Sequence, residues 1–281
     1  MANNLKPIPK MVTVGIVVLG LGFFTILGSN AMQMASALDQ SHMMWSTVRG
    51  LDQLKSLTNS AGFDSGDYLM FHYSPSQGPT QTQINTMKSI TSIPNSHKGF
   101  EFWSLANIKK YAPVAKQAGF GLIGYDLENG NSPSSEVSNP VNAFKQAQQI
   151  VHSYGLKLIS IAGYPILTQY GTQYAKYVDG VHMQSQRLQD DDTTCAKLKN
   201  YVASWVSKLE NANPKLAGHI IYQLSFSAGA ASGKTIYQTL KDCTDATSPT
   251  SVDGLFIFWN SPSFDNGQYG DLLKYHEPKY S

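Results

Sequence analysis

The chain has 281 residues, only 14% of them charged, with a formal net charge of +2. Its 19 Asp and Glu nearly balance 21 Lys and Arg, which excludes the clustered basic charge that phosphate backbones require. The length allows one large α/β domain with a full core, and the abundance of Tyr, Phe, Asn, Gln and Ser suits neutral, hydroxyl-rich ligands.

Met11 to Gly28, "MVTVGIVVLGLGFFTILG", is uncharged and apolar and follows Lys6 and Lys10. It reads as an export signal or as a retained N-terminal anchor, a hydrophobic helix in either case. Ser29-Asn30-Ala31 and Ala35-Ser36-Ala37 are small-x-small sites for cleavage. We therefore assign residues 1–37 to a signal peptide or anchor, which places the protein outside the cell, secreted or at the surface. Contact with a membrane is expected only through that segment. Residues 38–66 read as a linker or a first barrel element.

From residue 67 to 281 short apolar strands alternate with amphipathic stretches, the mark of repeated β/α units. The strands read are "YLMFHY" (68–73), "GFEFW" (99–103), "GLIGYDLE" (121–128), "LKLISIAG" (156–163), "GVHMQSQ" (180–186), "HIIYQLSF" (219–226) and "GLFIFW" (254–259). Helices are read between them, among them "QYGTQYAKY" and "TTCAKLKNYVASWVSKLENA". In one, Asn139-Pro140 supplies a cap and a first-turn proline, and Gly155 supplies the stop.

No Gly-rich phosphate loop follows a strand, and "SAGAASGKT" (227–235) lacks the P-loop spacing. The pattern predicts a (β/α)8 TIM-type barrel rather than an open doubly wound sheet. Seven strands are visible; either "HMMWSTV" near residue 45 supplies the eighth or the barrel is incomplete.

In such barrels the chemistry sits where strands end. "FGLIGYDLENG" (120–130) ends its strand in Asp126 and Glu128, two residues apart and therefore on one face. Two carboxylates that close raise the cost of ionising each other, which keeps a proton available for an acid near neutral pH. That is what breaking a glycosidic bond needs, so both are read as catalytic. Other strand ends carry substrate-binding candidates. His182, Gln184 and Gln186 share a face, as do Gln223 and Ser225. Trp259 offers a floor for a sugar ring, and Tyr164, Glu101, Trp103 and His72 reach the same mouth if their strands face inward on the matching parity.

Cys195 and Cys243 form a disulfide or remain two buried thiols; an exported domain would favour the bond. "QDDDTT" (189–194) reads as a helix cap ahead of "CAKLK". The seven histidines lack ligand spacing, so no metal and no cofactor is expected.

The strand-end pattern resembles the chitinase-like family 18 glycosidases and, more loosely, the family 25 lysozymes with their Asp-x-Glu. Laid on the family 18 pattern D-x-x-D-x-D-x-E, this chain keeps Asp126 and Glu128 and has Gly121 and Gly124 at the earlier Asp positions. Met183-Gln184-Ser185-Gln186 aligns with Met-x-Tyr-Asp but lacks the Tyr, and Trp259 matches a last-strand Trp. The resemblance implies a glycoside hydrolase of a polysaccharide, N-acetylated in family 18. Glu128 would protonate the leaving oxygen while Asp126 orients the substrate's N-acetyl group. The opposing expectation is a barrel without turnover that binds glycans.

Overall fold

The computed structural model describes residues 43–48, 50–52, 55, 63, 65–73, 76–191, 193–226, 228–247, 254–258 and 275. The N-terminal segment 1–37 and Trp259 lie outside the described residues. Among those described, no helix is long and apolar enough to cross a membrane.

Eight parallel strands close into a barrel in which each pairs with its neighbours in sequence order and the first pairs with the last. They are β1 (Met43–Val48), β2 (Tyr68–His72), β3 (Lys98–Phe102), β4 (Leu122–Tyr125), β5 (Lys157–Ser160), β6 (Gly180–Met183), β7 (Ile220–Ser225) and β8 (Gly254–Phe258). The missing strand is thus "MMWSTV", which bridges β2 and β8. The barrel begins at Met43, inside the segment 38–66 that the sequence left between linker and barrel element.

The connecting helices are α1 (Gln81–Ser89), α2 (Leu105–Ala118), the single turn α3 (Ser134–Val137), α4 (Pro140–Ser153), α5 (Tyr164–Tyr174), α6 (Ala196–Ala212) and α7 (Ile236–Thr247). Their ends follow local rules. Thr80 and Gln83 form a reciprocal capping box on α1, and Asn139 accepts from the Asn142 N–H with Pro140 at the first turn of α4. Gly119 ends α2 at φ 79°, a conformation open to glycine at no steric cost. Helix α5 starts five residues before the sequence placed it, because Gly163-Tyr164-Pro165 opens the helix directly at the strand exit.

Strand parity divides the core into two. Outward side chains such as Phe71, Phe100, Phe102, Ile123, Tyr125, Leu158, Val181, Tyr222 and Leu224 join the helix faces in one large cluster. Inward ones, Met70, Leu122, Ile159, Ile161 and Ile221, fill the lower barrel as a second, smaller cluster. Polar outward groups find partners between the layers. Glu136 of α3 accepts from the Tyr125 hydroxyl (2.5 Å) and from the Leu105 N–H at the start of α2 (3.1 Å). Lys98 lies on the same outward face as Phe100 and Phe102, and its Nζ donates to the Ile90 carbonyl (2.7 Å) and Asn95 Oδ1 (3.1 Å) in the connection before β3. Burial pushes its pKa down to about 8.

Cys195 and Cys243 are joined, Cα to Cα 5.2 Å, tying the start of α6 to α7. Asp192 of "QDDDTT", where a cap was read, lies outside the described residues. Position N-cap of α6 is Cys195 itself, at φ 55° and without a side-chain cap bond, and Asp191 instead pairs with Lys197 at 3.5 Å.

Candidate active site at the strand ends

The upper interior of the barrel is polar. His72 of β2, Glu101 of β3, Asp126 just past β4, and His182 and Gln223 of β6 and β7 all point inward, each no more than 4% exposed. A buried polar layer of this kind is costly unless its members satisfy one another. Asp126 is engaged on both oxygens: Trp103 donates its indole N–H to Oδ2 (2.5 Å), and Gln184 donates to Oδ1 (3.0 Å). His72 Nδ1 contacts Glu101 Oε1 and lies 3.8 Å from Asp126 Oδ2. The His72 ring also meets Trp103 edge to face at 4.5 Å.

Glu128 sits above this layer, half-buried. Its Oε1 accepts from Gln184 Nε2 (2.5 Å) and its Oε2 from Asn131 Nδ2 (2.7 Å). Turn geometry fixes its backbone, because Ser132 Oγ accepts from the Glu128 N–H (2.9 Å) and donates to the Asp126 carbonyl (3.2 Å). The two carboxylates therefore converge on a single amide nitrogen. That nitrogen has a third acceptor, the Ile161 carbonyl at 3.2 Å, which fixes the orientation of the amide. Two N–H hydrogens serve three oxygens, so one of them is shared between acceptors.

The sequence-derived candidates separate into three groups. Asp126, Glu128, Gln184 and Trp103 meet directly. His182 and Gln223 are buried on the neighbouring strands β6 and β7. Tyr164 and Gln186 stand at the rim. The Tyr164 ring stacks on Tyr201 (5.2 Å between centroids) beneath the Arg187 guanidinium (4.2 Å), next to Gly163, which packs against Glu128. Gln186 lies in a short 3-10 turn after β6 instead of continuing the strand, and its buried Oε1 has no partner among the described residues. Alternation beyond Met183 was the wrong rule for it.

Two residues that carry the β6 loop were not singled out by sequence. Ser185 Oγ donates to the Gln223 carbonyl (2.7 Å). Gln189 bonds the Ser225 carbonyl (2.8 Å) and the Ser225 N–H (2.9 Å). Side chains here prolong the β6–β7 ladder after the backbone has left it, and so position Gln184. Their only sequence signal is a polar run where a helix cap was expected.

His72, Glu101 and Asp126 offer three potential metal-ligand atoms within 4.8 Å of one another. His72 Nδ1 is already engaged by Glu101 and Asp126 Oδ2 by Trp103, so the group is closed on itself as a hydrogen-bonded chain. It was assembled from three strands, which explains why spacing in the sequence did not show it.

Burial pushes the His182 pKa down from 6.5 to about 4, against the opposing field of Glu101. The folded value lies below the unfolded one. The stability this gives is complete above pH 6.5 and is lost as pH falls towards 4. At pH 5 we expect about 2 kcal/mol of it to be gone. Urea midpoints of the wild type and His182→Gln at pH 7.5 and pH 5 measure this, and the difference between the two proteins should change by that amount.

No protein-family model matches this sequence, and no curated protein matches it. Solved structures do. A GH18 chitinase from Pseudoalteromonas aurantia aligns with a TM-score of 0.57 at 9% identity, over 83% of this chain and 99% of that one. The catalytic domain of a hyperthermophilic chitinase from Pyrococcus furiosus aligns with a TM-score of 0.56 at 13% identity, over 86% and 96%. The spore cortex-lytic enzyme SleL of Bacillus megaterium aligns with a TM-score of 0.55 at 8% identity, over 84% and 74%. At these identities the likeness is one of fold, and it agrees with the barrel expected from the sequence.

Proposed function

We propose that this protein is an exported glycoside hydrolase of a polysaccharide, with Glu128 as general acid. The observation that carries the reading is the convergence of Asp126 and Glu128 on Gln184 at the C-terminal mouth of a closed barrel. Glu128 gives its proton to the glycosidic oxygen as the bond to the anomeric carbon breaks. Asp126, held by Trp103 and Gln184, orients the group that covers the developing positive charge. On an N-acetylated sugar that group is the acetamido oxygen. Water then attacks the anomeric carbon and returns a proton to Glu128.

Three further facts support the substrate class and location. The barrels it resembles are chitinases and a cortex-lytic enzyme, and one Pyrococcus furiosus structure of similar fold was solved with chito-oligosaccharides. The near-neutral charge balance suits an uncharged polymer. A disulfide fits an oxidising compartment and so supports export.

One observation favours the second reading, a barrel that binds glycans without turnover. Both oxygens of Glu128 are already engaged by amides, Oε1 by Gln184 and Oε2 by Asn131, so neither is left unengaged towards a glycosidic oxygen. Release of reducing ends from a panel of chitin-type, peptidoglycan and other β-linked glycans decides between them. Turnover that disappears in Glu128→Gln supports the hydrolase. Saturable binding with no turnover in the wild type establishes the binder.

A further inference from the structure

The geometry points to Asn131 as a displaceable latch on the acid: its amide holds the solvent side of Glu128, and an arriving glycan takes its place there. This rests on the reading of Glu128 as the group that protonates the glycosidic oxygen. Asn131 is then a residue that the glycan competes with on binding, not a contributor to bond breaking.

The two amides that hold Glu128 are unlike. Gln184 reaches Oε1 from the barrel side, and its Nε2 is shared with Asp126 Oδ1 (3.0 Å) and the Ile161 carbonyl (3.2 Å). Its loop is bound to β7 through Ser185 and Gln189. Moving Gln184 away therefore breaks several contacts at once. Asn131 reaches Oε2 (2.7 Å) from an exposed turn only three residues along the chain, and its side chain makes this one hydrogen bond among the described residues. A hydrogen bond of that kind exchanges with water at little net loss, so the oxygens and amides of a sugar displace it readily.

The turn stands without the Asn131 side chain. Ser132 Oγ accepts from the Glu128 N–H (2.9 Å) and donates to the Asp126 carbonyl (3.2 Å), and the Ser132 N–H donates to the Glu128 carbonyl (3.0 Å). Gly130 reverses the chain at φ 86°. Glu128 stays placed by these bonds and by Gln184 if Asn131 is truncated. What the Asn131 amide does is occupy Oε2, the oxygen on the open side. To give a proton to a glycosidic oxygen from that side, Oε2 must exchange the amide for the glycan, and the exchange enters the affinity.

The test titrates chito-oligosaccharides and soluble peptidoglycan fragments into the wild type and Asn131→Ala, and follows hydrolysis of the same glycans. The variant is expected to bind about threefold to tenfold more tightly, the worth of one such hydrogen bond, with KM lowered alike and kcat within about twofold. In the wild type, the Asn131 side-chain amide protons, read by NMR of the full chain, should shift on saturation as the bond to Glu128 opens. Equal or weaker binding by the variant, or a lower kcat with KM unchanged, overturns the latch and makes Asn131 a support of the acid. Unchanged amide shifts on saturation overturn it too, as does an absence of binding by both proteins. If both bind without hydrolysing, tighter binding by the variant upholds the displacement while the acid role of Glu128 fails, so the two failures are told apart.

Discussion

Glu128→Gln is expected to lower kcat/KM on any glycan the wild type cleaves by a factor of roughly 10² to 10⁴, the usual contribution of a positioned acid. The substitution preserves size, so binding should stay within a few-fold. Its effect on stability has a definite cause. Gln184 and Asn131 both donate to Glu128, from either side. A glutamine there offers one acceptor and one donor, so one of these amides faces another N–H. That costs on the order of 1 kcal/mol, too little to unfold a domain of this size. Asp126→Asn meets the same conflict deeper in the barrel, between the Trp103 indole and Gln184, and is expected to lose activity together with more stability. Initial rates with urea midpoints on the same preparations separate the two effects. An active Glu128→Gln protein removes the assignment of the acid.

The second large effect is on stability. Cys195 and Cys243 are 48 residues apart in sequence, and closing a loop of that length in the unfolded chain is worth about 4 kcal/mol in the chain-entropy model. Replacing both with Ser should lower the unfolding free energy by about that amount, and reducing the wild type should do the same. The consequence extends to the site. The cross-link ties the N-terminus of α6 to α7, and the loop between Gln184 and Cys195 is otherwise anchored to β7 through Ser185 and Gln189. Loosening this loop frees the amide that holds the two carboxylates together. A double-Ser variant as stable as the wild type would show that the pair does not cross-link in the protein.

Gln184 and the disulfide illustrate what local pattern can and cannot carry. Asp126 and Glu128 were legible because a two-residue period at the end of an apolar run puts both on one face, and this survives whatever the rest of the chain does. Trp103 and Glu101 followed from the same parity on the preceding strand. Gln186 failed the same test because β6 ends at Met183 and the chain turns. The first strand was weakly legible: "MMWSTV" gains its identity as a strand from hydrogen bonds to β2 and β8, which lie over 20 and over 200 residues away in sequence.

By itself the sequence determined the class of fold, the alternation of strand and helix, the parity that aims polar groups into the barrel mouth, and the two acids at its edge. These depend on periods of two and 3.6 residues and on local capping, all short-range. Only the tertiary structure decided that the barrel closes with eight strands, that Gln184 joins both carboxylates, and that Glu101 meets His72. Those facts depend on register between strands and on which side chains share a buried volume, and a buried polar group finds its partner across the fold, not along the chain.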